Sequence, residues 1–430
     1  MRVLILSQYY SPEPVEKVHD LASGLVRSGH EVEVLTGFPC YPHGKIYPGY
    51  RQRLVTSEAM DGVNVRRIPQ FPDHSRSVVR RVLYYLSFAI SAMIIGPFAV
   101  RRPDVIVVYQ AALPVGIAGW WLSRLRGARL VLDVVDLWPE SVTASGLLNR
   151  WWIIAAIRRV AKFIYNGATQ VNVVTEGFRQ NLLSMGIPER KLSVIENWMP
   201  TATYSLAQPD EEFARQFDLA GKFVVMYAGN MGASQDLHTV LDAAHRLRDE
   251  PDIRFVLVGG GTQHEELVQR VRNEQLPNVV LPGRYPPDKM PGLYAFANVL
   301  LVHLKPDSLS DVSIPSKTFA YMASGRPVLM AVRGDGARFL DSNRFGITAE
   351  PSNPASLADA VIRLRDMPVS VREELGVNGR NAFDERYCSA VQIARFERLL
   401  EQAVGSVGSV GSTVRKLPPT QCEPDNRYAA

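Results

Sequence analysis

The sequence predicts an α/β fold in two domains, each a parallel sheet with helices on both faces. Three observations predict it. The chain has 430 residues, enough for two domains of ordinary size. Short β-branched runs alternate with amphipathic helical stretches, and this rhythm occurs twice. A polar, proline-containing segment from Asn197 to Asp210 separates the two cycles, as a linker should.

The first cycle opens with a buried strand at Val3 to Leu6 and a helix at Val15 to Ser28, whose Val18, Leu21, Leu25 and Val26 share an apolar face. Gly29-His30 ends that helix, and Glu31 to Thr36 is the next strand. Residues 63–68 are a strand and 78–99 a long apolar helix. A strand at Asp104 to Tyr109, a helical stretch through Ala118 to Leu122 and a strand at Arg129 to Val135 follow. A helix at 151–166, a strand at Gln170 to Thr175, a short helix at Phe178 to Met185 and a strand at Leu192 to Ile195 close the cycle. The second cycle sets strands at Phe223 to Ala228, Arg254 to Gly259, Val279 to Leu281, Val299 to His303 and Pro327 to Ala331. Its helices are expected at Leu237 to Leu247, Gln263 to Asn273, Lys289 to Ala297, 317–323 and Pro354 to Arg365. Residues 371–403 are helical and amphipathic, and should close the second domain or cross back onto the first. Beyond them the chain turns to a Gly, Ser and Pro-rich tail of low complexity, which reads as disordered.

Composition narrows the function. Cys40, Cys388 and Cys422 are too few and too scattered for a disulfide framework or a zinc cluster, which fits a cytoplasmic setting. The start, MRVLILSQYYSPEP, reads as a first strand rather than a signal peptide. Residues 1–200 hold 23 Lys and Arg against 15 Asp and Glu, a net of +8, while the remainder holds 25 against 28, a net of −3. No zinc-finger spacing, RNA-binding signature or basic helix–turn–helix accompanies the basic half, so nucleic acid is not the expected partner. An anionic membrane leaflet or a lipid phosphate suits it, with a merely solvated face as the alternative. Residues 82–100 form an uncharged run of 19, preceded by Arg76, Arg80 and Arg81 and followed by Arg101 and Arg102. The run just reaches spanning length. A crossing, however, would place on opposite sides of the membrane strands that one sheet needs together, and Gly96-Pro97 should end the helix early. A helix packed on the sheet, or one resting peripherally on the inner face of the cell membrane, is expected.

Candidate ligand groups cluster where strands end. In VLVGGGTQHEEL, Gly259, Gly260 and Gly261 would let a diphosphate or ribose approach the backbone, although a tight turn explains them too. In MYAGNMGASQDL, Gly229 ends a strand, and Asn230 and Gly232 precede a helix whose N-terminus favours an anion; a capping loop is the competing reading. In SIPSKTFAYMASGRPVL, Pro315 and Ser316 precede a helix with Lys317 in its first turn. A cation there opposes the helix dipole, which a bound diphosphate would explain; a solvated lysine is the competing reading. In the first half Asp136 stands just past a strand, ahead of Trp138 and Glu140, either at a ligand edge or as a turn cap. Glu16 and Lys17 face the same edge, as acceptor contacts or as surface residues of an early helix. No G-x-G-x-x-G opens either half, which argues against a dinucleotide oxidoreductase.

Five stretches carry a resemblance: PVEKVHDLASGLVRSGHEVEVLTGFPCYPHGKIYPGY at 14–50, DLWPES at 136–141, YAGNMGASQDL at 227–237, LPGRYPPDKMPGLYAFA at 281–297 and IPSKTFAYMASGRPVL at 314–329. Together they resemble the family 4 glycosyltransferases, in the bacterial branch that builds O-antigen, capsule or exopolysaccharide. The resemblance implies a GT-B type fold, two Rossmann-like domains facing across a cleft. Residues 1–198 would be the acceptor domain, 199–210 the linker, 211–385 the nucleotide-sugar domain, 386–404 a closing helix and 405–430 the tail. It implies retaining transfer of a hexosyl or N-acetylhexosaminyl group from a nucleoside-diphosphate sugar, UDP before GDP. The acceptor would be a polyprenyl-diphosphate-linked saccharide. No cofactor or metal is obligatory in the family, and no DxD motif stands in a suitable loop here.

The chain departs from the family pattern at several positions. Val312 and Ala320 stand where its first and second glutamates would fall, with Asp311 beside the first, and Gly229-Asn230 replaces Gly-Arg. Gln235-Asp236 stand where a phosphate-binding lysine is usual, Val135 replaces a histidine, and the first loop lacks glycine. By position, phosphate neutralisation then falls to Arg284 and Lys317. The donor is expected against Gly229, Asn230, Gly232, Gly260, Gly261, Arg284, Tyr285, Pro315, Ser316 and Lys317. Asp136 and Glu16 would serve the acceptor, and positioning and charge stabilisation would carry the chemistry. A nucleotide-sugar epimerase and a non-catalytic nucleotide-binding or scaffold protein are the rival classes. Free sugar released from donor alone would mark the first, and binding without turnover the second.

Overall fold

A computed structural model of the chain describes residues 1–75, 77–144, 150–201, 203–204 and 206–405. Arg76, and the expected tail from residue 406 onward, lie outside the described residues. The chain forms two compact units, one of Met1–Glu196 joined by the stretch from Ser389, the other of Asn197–Cys388.

In chain order the first unit contains β1 (Arg2–Leu6), α1 (Glu16–Arg27), β2 (Glu31–Gly37), β3 (Thr56–Met60), β4 (Val63–Ile68), α2 (Val78–Ile94), α3 (Gly96–Ala99), β5 (Val105–Gln110), α4 (Leu113–Arg126), β6 (Arg129–Val134), α5 (Glu140–Ala144), α6 (Trp151–Gly167), β7 (Gln170–Val173), α7 (Glu176–Ser184) and β8 (Leu192–Val194). The sheet order is β3-β4-β2-β1-β5-β6-β7-β8, parallel except for the β3–β4 pair. That hairpin turns at Asp61-Gly62, both at positive φ, and β3 is polar and half-exposed. It was not expected from the sequence. Central strands are apolar throughout, because helices cover both of their faces: Val3 to Leu6 and Val105 to Val108 are all buried. The connections move from β1 to β2 in one direction and from β4 through β7 in the other. They put α1 on one face and α2, α4 and α6, packed side by side, on the other. The long apolar helix stops at Ile94 and resumes as one short turn around Pro97, as the Gly96-Pro97 pair suggested. Among the described residues no helix is long and apolar enough to cross a membrane.

The second unit contains α8 (Glu211–Gln216), β9 (Phe223–Asn230), α9 (Leu237–Arg246), β10 (Ile253–Gly260), α10 (His264–Asn273), β11 (Val279–Gly283), α11 (Met290–Phe296), β12 (Val299–His303), α12 (Lys317–Ala323), β13 (Val328–Ala331), α13 (Gly334–Asn343), β14 (Gly346–Thr348), α14 (Pro354–Asp366) and α15 (Val369–Ala382). Its sheet is parallel, in the order β11-β10-β9-β12-β13-β14. The strand order reverses between β9 and β12, so the crevice at their C-terminal ends is a topological switch point. Helix α13 and strand β14 were not expected. The helix begins Gly-Asp-Gly, which lowers its propensity, and the strand has only three residues.

The last helix, α16 (Ser389–Gly405), belongs to the first unit, where it packs on α1, β5 and β6. Gly24 of α1 makes room for it, since a Cβ there would lie 2.5 Å from Ile393 Cδ1. His30 Nε2 meets Glu397 Oε1 at 2.8 Å, and Arg395 bonds both Glu196 and the Val194 carbonyl at 2.7 Å.

Candidate active site

The second unit gathers its site at the β9/β12 switch point. β9 and β10 pair in register as far as Gly259 opposite Gly229 and Gly260 opposite Asn230. The approach is too close for side chains: a Cβ on Gly259 would lie 1.9 Å from the Gly229 carbonyl oxygen. Both Gly229 and Gly259 have strongly positive φ, at +139° and +137°. The loop after β9 is held by Gln235, whose Oε1 accepts from Gly232 N at 3.0 Å and from Asn230 Nδ2 at 3.3 Å. Gly261 fits beneath that loop, where a Cβ would lie 2.7 Å from Asn230 Oδ1. Arg284 lies across Gly260, its Nε 2.7 Å from the position of a Cβ there, and is otherwise exposed. Tyr285 next to it packs edge-on against Phe213 at 5.4 Å.

Helix α12 brings Lys317 to the same edge. Tyr321 anchors the helix: its hydroxyl accepts from Ala228 N at 2.9 Å and donates to Ala228 O at 3.2 Å. Lys317 Nζ then sits 3.6 Å over the centre of the Tyr227 ring and 3.0 Å from where a Cβ of Gly229 would be. The ammonium is inaccessible and has no hydrogen-bond partner among the described residues. Burial lowers its pKa from the ordinary 10.5 to about 7. The bland alternative, a solvated lysine, is therefore excluded. Ser316 precedes α12 without a side-chain cap bond, and Pro315 accepts from Thr318 N at 2.9 Å. The helix has only seven residues, so the dipole argument raised by the sequence is weak and the buried cation is the stronger feature.

In the first unit, Asp136 follows β6 with no hydrogen bond or ion pair among the described residues. Burial raises its pKa from 3.8 to about 6. The turn-cap alternative thus finds no bond to support it. Glu16, at the start of α1, is also raised, by burial first and Asp20 second, and its Oε2 has no partner among the described residues. Trp138 Nε1 and Glu140 Oε2 are likewise buried without partners there, while Glu140 Oε1 accepts from Asn181 Nδ2 at 3.1 Å. Lys17 needs a correction. It neither faces solvent nor waits for an acceptor, because its ammonium is buried 2.9 Å from Asp133, which also accepts from Asn172 at 2.8 Å. That chain ties α1 across β6 to β7. Among the described residues, no group of three or more His, Cys, Asp or Glu is placed to hold a metal.

Residues 14–198 match the glycosyl transferase 4-like domain family, and residues 222–366 match the glycosyl transferases group 1 family. The chain is a family-4-like glycosyltransferase. The transferase is 28% identical over 340 residues to a protein of Escherichia coli (strain K12) described as the colanic acid biosynthesis glycosyl transferase WcaI, covering 76% of this chain and 82% of that one. It is 26% identical over 281 residues to a Pseudomonas aeruginosa protein, WbjE, whose name describes it as a glycosyltransferase, covering 64% and 68%. Among solved structures, it is similar to Anabaena HepE in complex with UDP, with a TM-score of 0.70 at 16% identity over 94% of this chain and 100% of that one. An Escherichia coli trehalose-6-phosphate protein bound with UDP-2-fluoro glucose gives 0.69 at 12% identity, over 93% and 99%. These likenesses establish the GT-B fold.

The glycosyltransferase has two aromatic residues at its sites whose roles the sequence pattern leaves open. By pattern Tyr227 only ends a strand, yet its ring is the floor under Lys317. A tyrosine two residues before a strand-ending glycine shares that glycine's sheet face, and the Tyr-Ala-Gly spacing is the signal that could have found it. Trp138 stands in the sequence as a core residue, a hinge or a sugar platform; its Nε1 is buried without a hydrogen-bond partner among the described residues.

Proposed function

We propose that this transferase moves a hexosyl or N-acetylhexosaminyl group from a UDP-sugar, with retained configuration, onto a lipid-linked saccharide of a bacterial surface polysaccharide. Lys317 carries this reading. A buried ammonium without a partner, stacked on Tyr227 beside Gly229, is a charge placed in advance for an anion. A diphosphate lying over Gly229 and Gly260 would meet Lys317 and Arg284 together. The sugar's anomeric C–O bond breaks, and its electron pair leaves with the diphosphate, which these cations stabilise. The acceptor oxygen bonds to the anomeric carbon, and its proton passes to the departing diphosphate. Asp136, when ionised, accepts the hydrogen bond that orients that hydroxyl, and Glu16 helps to hold the acceptor.

The nucleotides carried by HepE and by the trehalose-6-phosphate protein support UDP over GDP. The colanic acid relative supports a surface-polysaccharide product. A lipid-linked acceptor also suits a peripheral position on the inner membrane face, with the exposed apolar face of α2 and its arginines toward the lipid. The test is a panel of UDP- and GDP-sugars offered with a bacterial membrane extract. UDP release that depends on the extract is expected. GDP release, or free sugar formed from donor alone, would overturn the reading.

A further inference from the structure

Within the basic half, the sequence singles out the run flanked by arginines at 76–102 as a membrane contact. The structure shows a broader surface in the first unit. α2 carries an uninterrupted exposed stripe, Val79, Leu83, Leu86, Ile90 and Ile94, at successive turns of one face, continued by Phe98, which is 91% exposed. Beside it α4 exposes Trp121 and Leu125, and beside α4 the next helix, α6, exposes Trp151 at 79%, Trp152 and Phe163. Water is a poor solvent for so much contiguous apolar area. The charges on these helices all have one sign. Arg80 and Arg81 lie in α2, Arg124 and Arg126 in α4, and Arg158, Arg159 and Lys162 in α6, with no acidic residue in any of the three. Arg124, Arg158, Arg159 and Lys162 form no ion pair among the described residues and so keep their charge for an outside partner.

We infer that α2, α4 and α6 together form one docking surface for an anionic bilayer leaflet, in which α6 supplies interfacial tryptophans and the phosphate-binding cations. This rests on the peripheral reading given above and extends it to two further helices. Three features select a leaflet. The apolar stripe fits acyl chains, tryptophans favour the headgroup boundary, and unpaired arginines fit anionic headgroups. A second copy of this chain is disfavoured because an isologous contact would set these cations against one another.

The test is co-sedimentation of the full chain with phosphatidylglycerol-containing vesicles and with neutral phosphatidylcholine vesicles, at low and high salt. Three proteins are compared: wild type, Arg158→Ala/Arg159→Ala/Lys162→Ala, and Ile90→Ser/Ile94→Ser. All the altered residues are exposed, and thermal unfolding checks that each protein folds. Wild type should prefer anionic vesicles and lose that preference in salt. Each variant should bind them at least about tenfold more weakly. Loss in the isoleucine variant with full binding by the α6 variant overturns the extended surface and leaves the α2 contact standing. No preference of wild type for anionic vesicles overturns the peripheral reading and this inference with it. A lipid-free wild-type dimer that dissociates in the isoleucine variant assigns the face to a second copy and also overturns it.

Discussion

A buried ammonium without an anion costs stability, and Lys317 should show that cost. Its pKa falls from 10.5 to about 7 on folding. The unfolded chain therefore holds more protons than the folded chain between about pH 7 and pH 10.5, so wild-type stability should rise with pH across that window. Below about pH 7 the lysine is charged in both states and the full penalty applies. The Tyr227 ring offsets part of it. Lys317→Met should accordingly be more stable than wild type at pH 7, by roughly 1–3 kcal/mol, with a flatter pH profile. The same change should lower kcat/KM by about 10²–10³-fold. Urea unfolding and steady-state kinetics on one preparation check both, and unchanged kcat/KM removes Lys317 from the mechanism. Asp136 makes the opposite kind of prediction. Its carboxyl is raised to about 6 by burial, and in the proposed mechanism it orients the acceptor when ionised. The transfer rate should rise with pH through about 6, and Asp136→Asn should abolish that limb while leaving donor binding intact. A variant that keeps the same pH limb would give it to another group. At this scale the sequence could name Lys317 and Asp136 but not say that they are unpaired. That follows from what the fold leaves around them, and Lys17, equally plausible by position, proves to be neutralised by Asp133.

Among the elements, the pairing of β9 with β10 decides how near a ligand can come to the backbone. Adjacent glycines should respond differently to the same substitution. Gly259→Ala forces a Cβ into the Gly229 carbonyl at a positive φ, and should destabilise the protein by several kcal/mol or prevent folding. At Gly260 the nearest atoms belong to the flexible Arg284 side chain. Gly260→Ala should leave stability within about 1 kcal/mol and raise KM for the donor by displacing that guanidinium. Melting curves and donor titrations separate the two cases; equal effects at both positions would mean the triple glycine is only a turn. Most elements were legible because buried strands and amphipathic helices repeat their apolar periods. The edge hairpin was missed although Asp61-Gly62 is a strong turn signal, since polar β3 offers no apolar alternation to flank it. α13 and β14 were missed for a related reason. They are short, glycine-led, and fixed by packing on β13 and its neighbours more than by their own propensity.

For the whole molecule, chain order and spatial order diverge at the C-terminus. Residues 371–403 read as one amphipathic stretch, and nothing in its periodicity says which domain it covers. The structure breaks it at Phe383–Tyr387 and sends α16 back to the first unit. There Ile393, Phe396, Leu399 and Leu400 are buried, and each such side chain contributes about 1.5–3 kcal/mol when removed from water. The first unit is thus incomplete without a segment that follows the second in sequence. A chain ended after Cys388 should leave the apolar surface of α1, β5 and β6 uncovered, and should aggregate or unfold at a lower temperature. A fragment of residues 197–388 contains its whole sheet and the Lys317 site, and should fold and bind UDP by itself. A fragment of residues 1–196 should need the 389–405 peptide, added in trans, to reach a cooperative melt. Calorimetry on the three fragments and UDP titration of the middle one decide the matter. If residues 1–196 melt cooperatively alone, α16 is an accessory to the first unit rather than a component of its core.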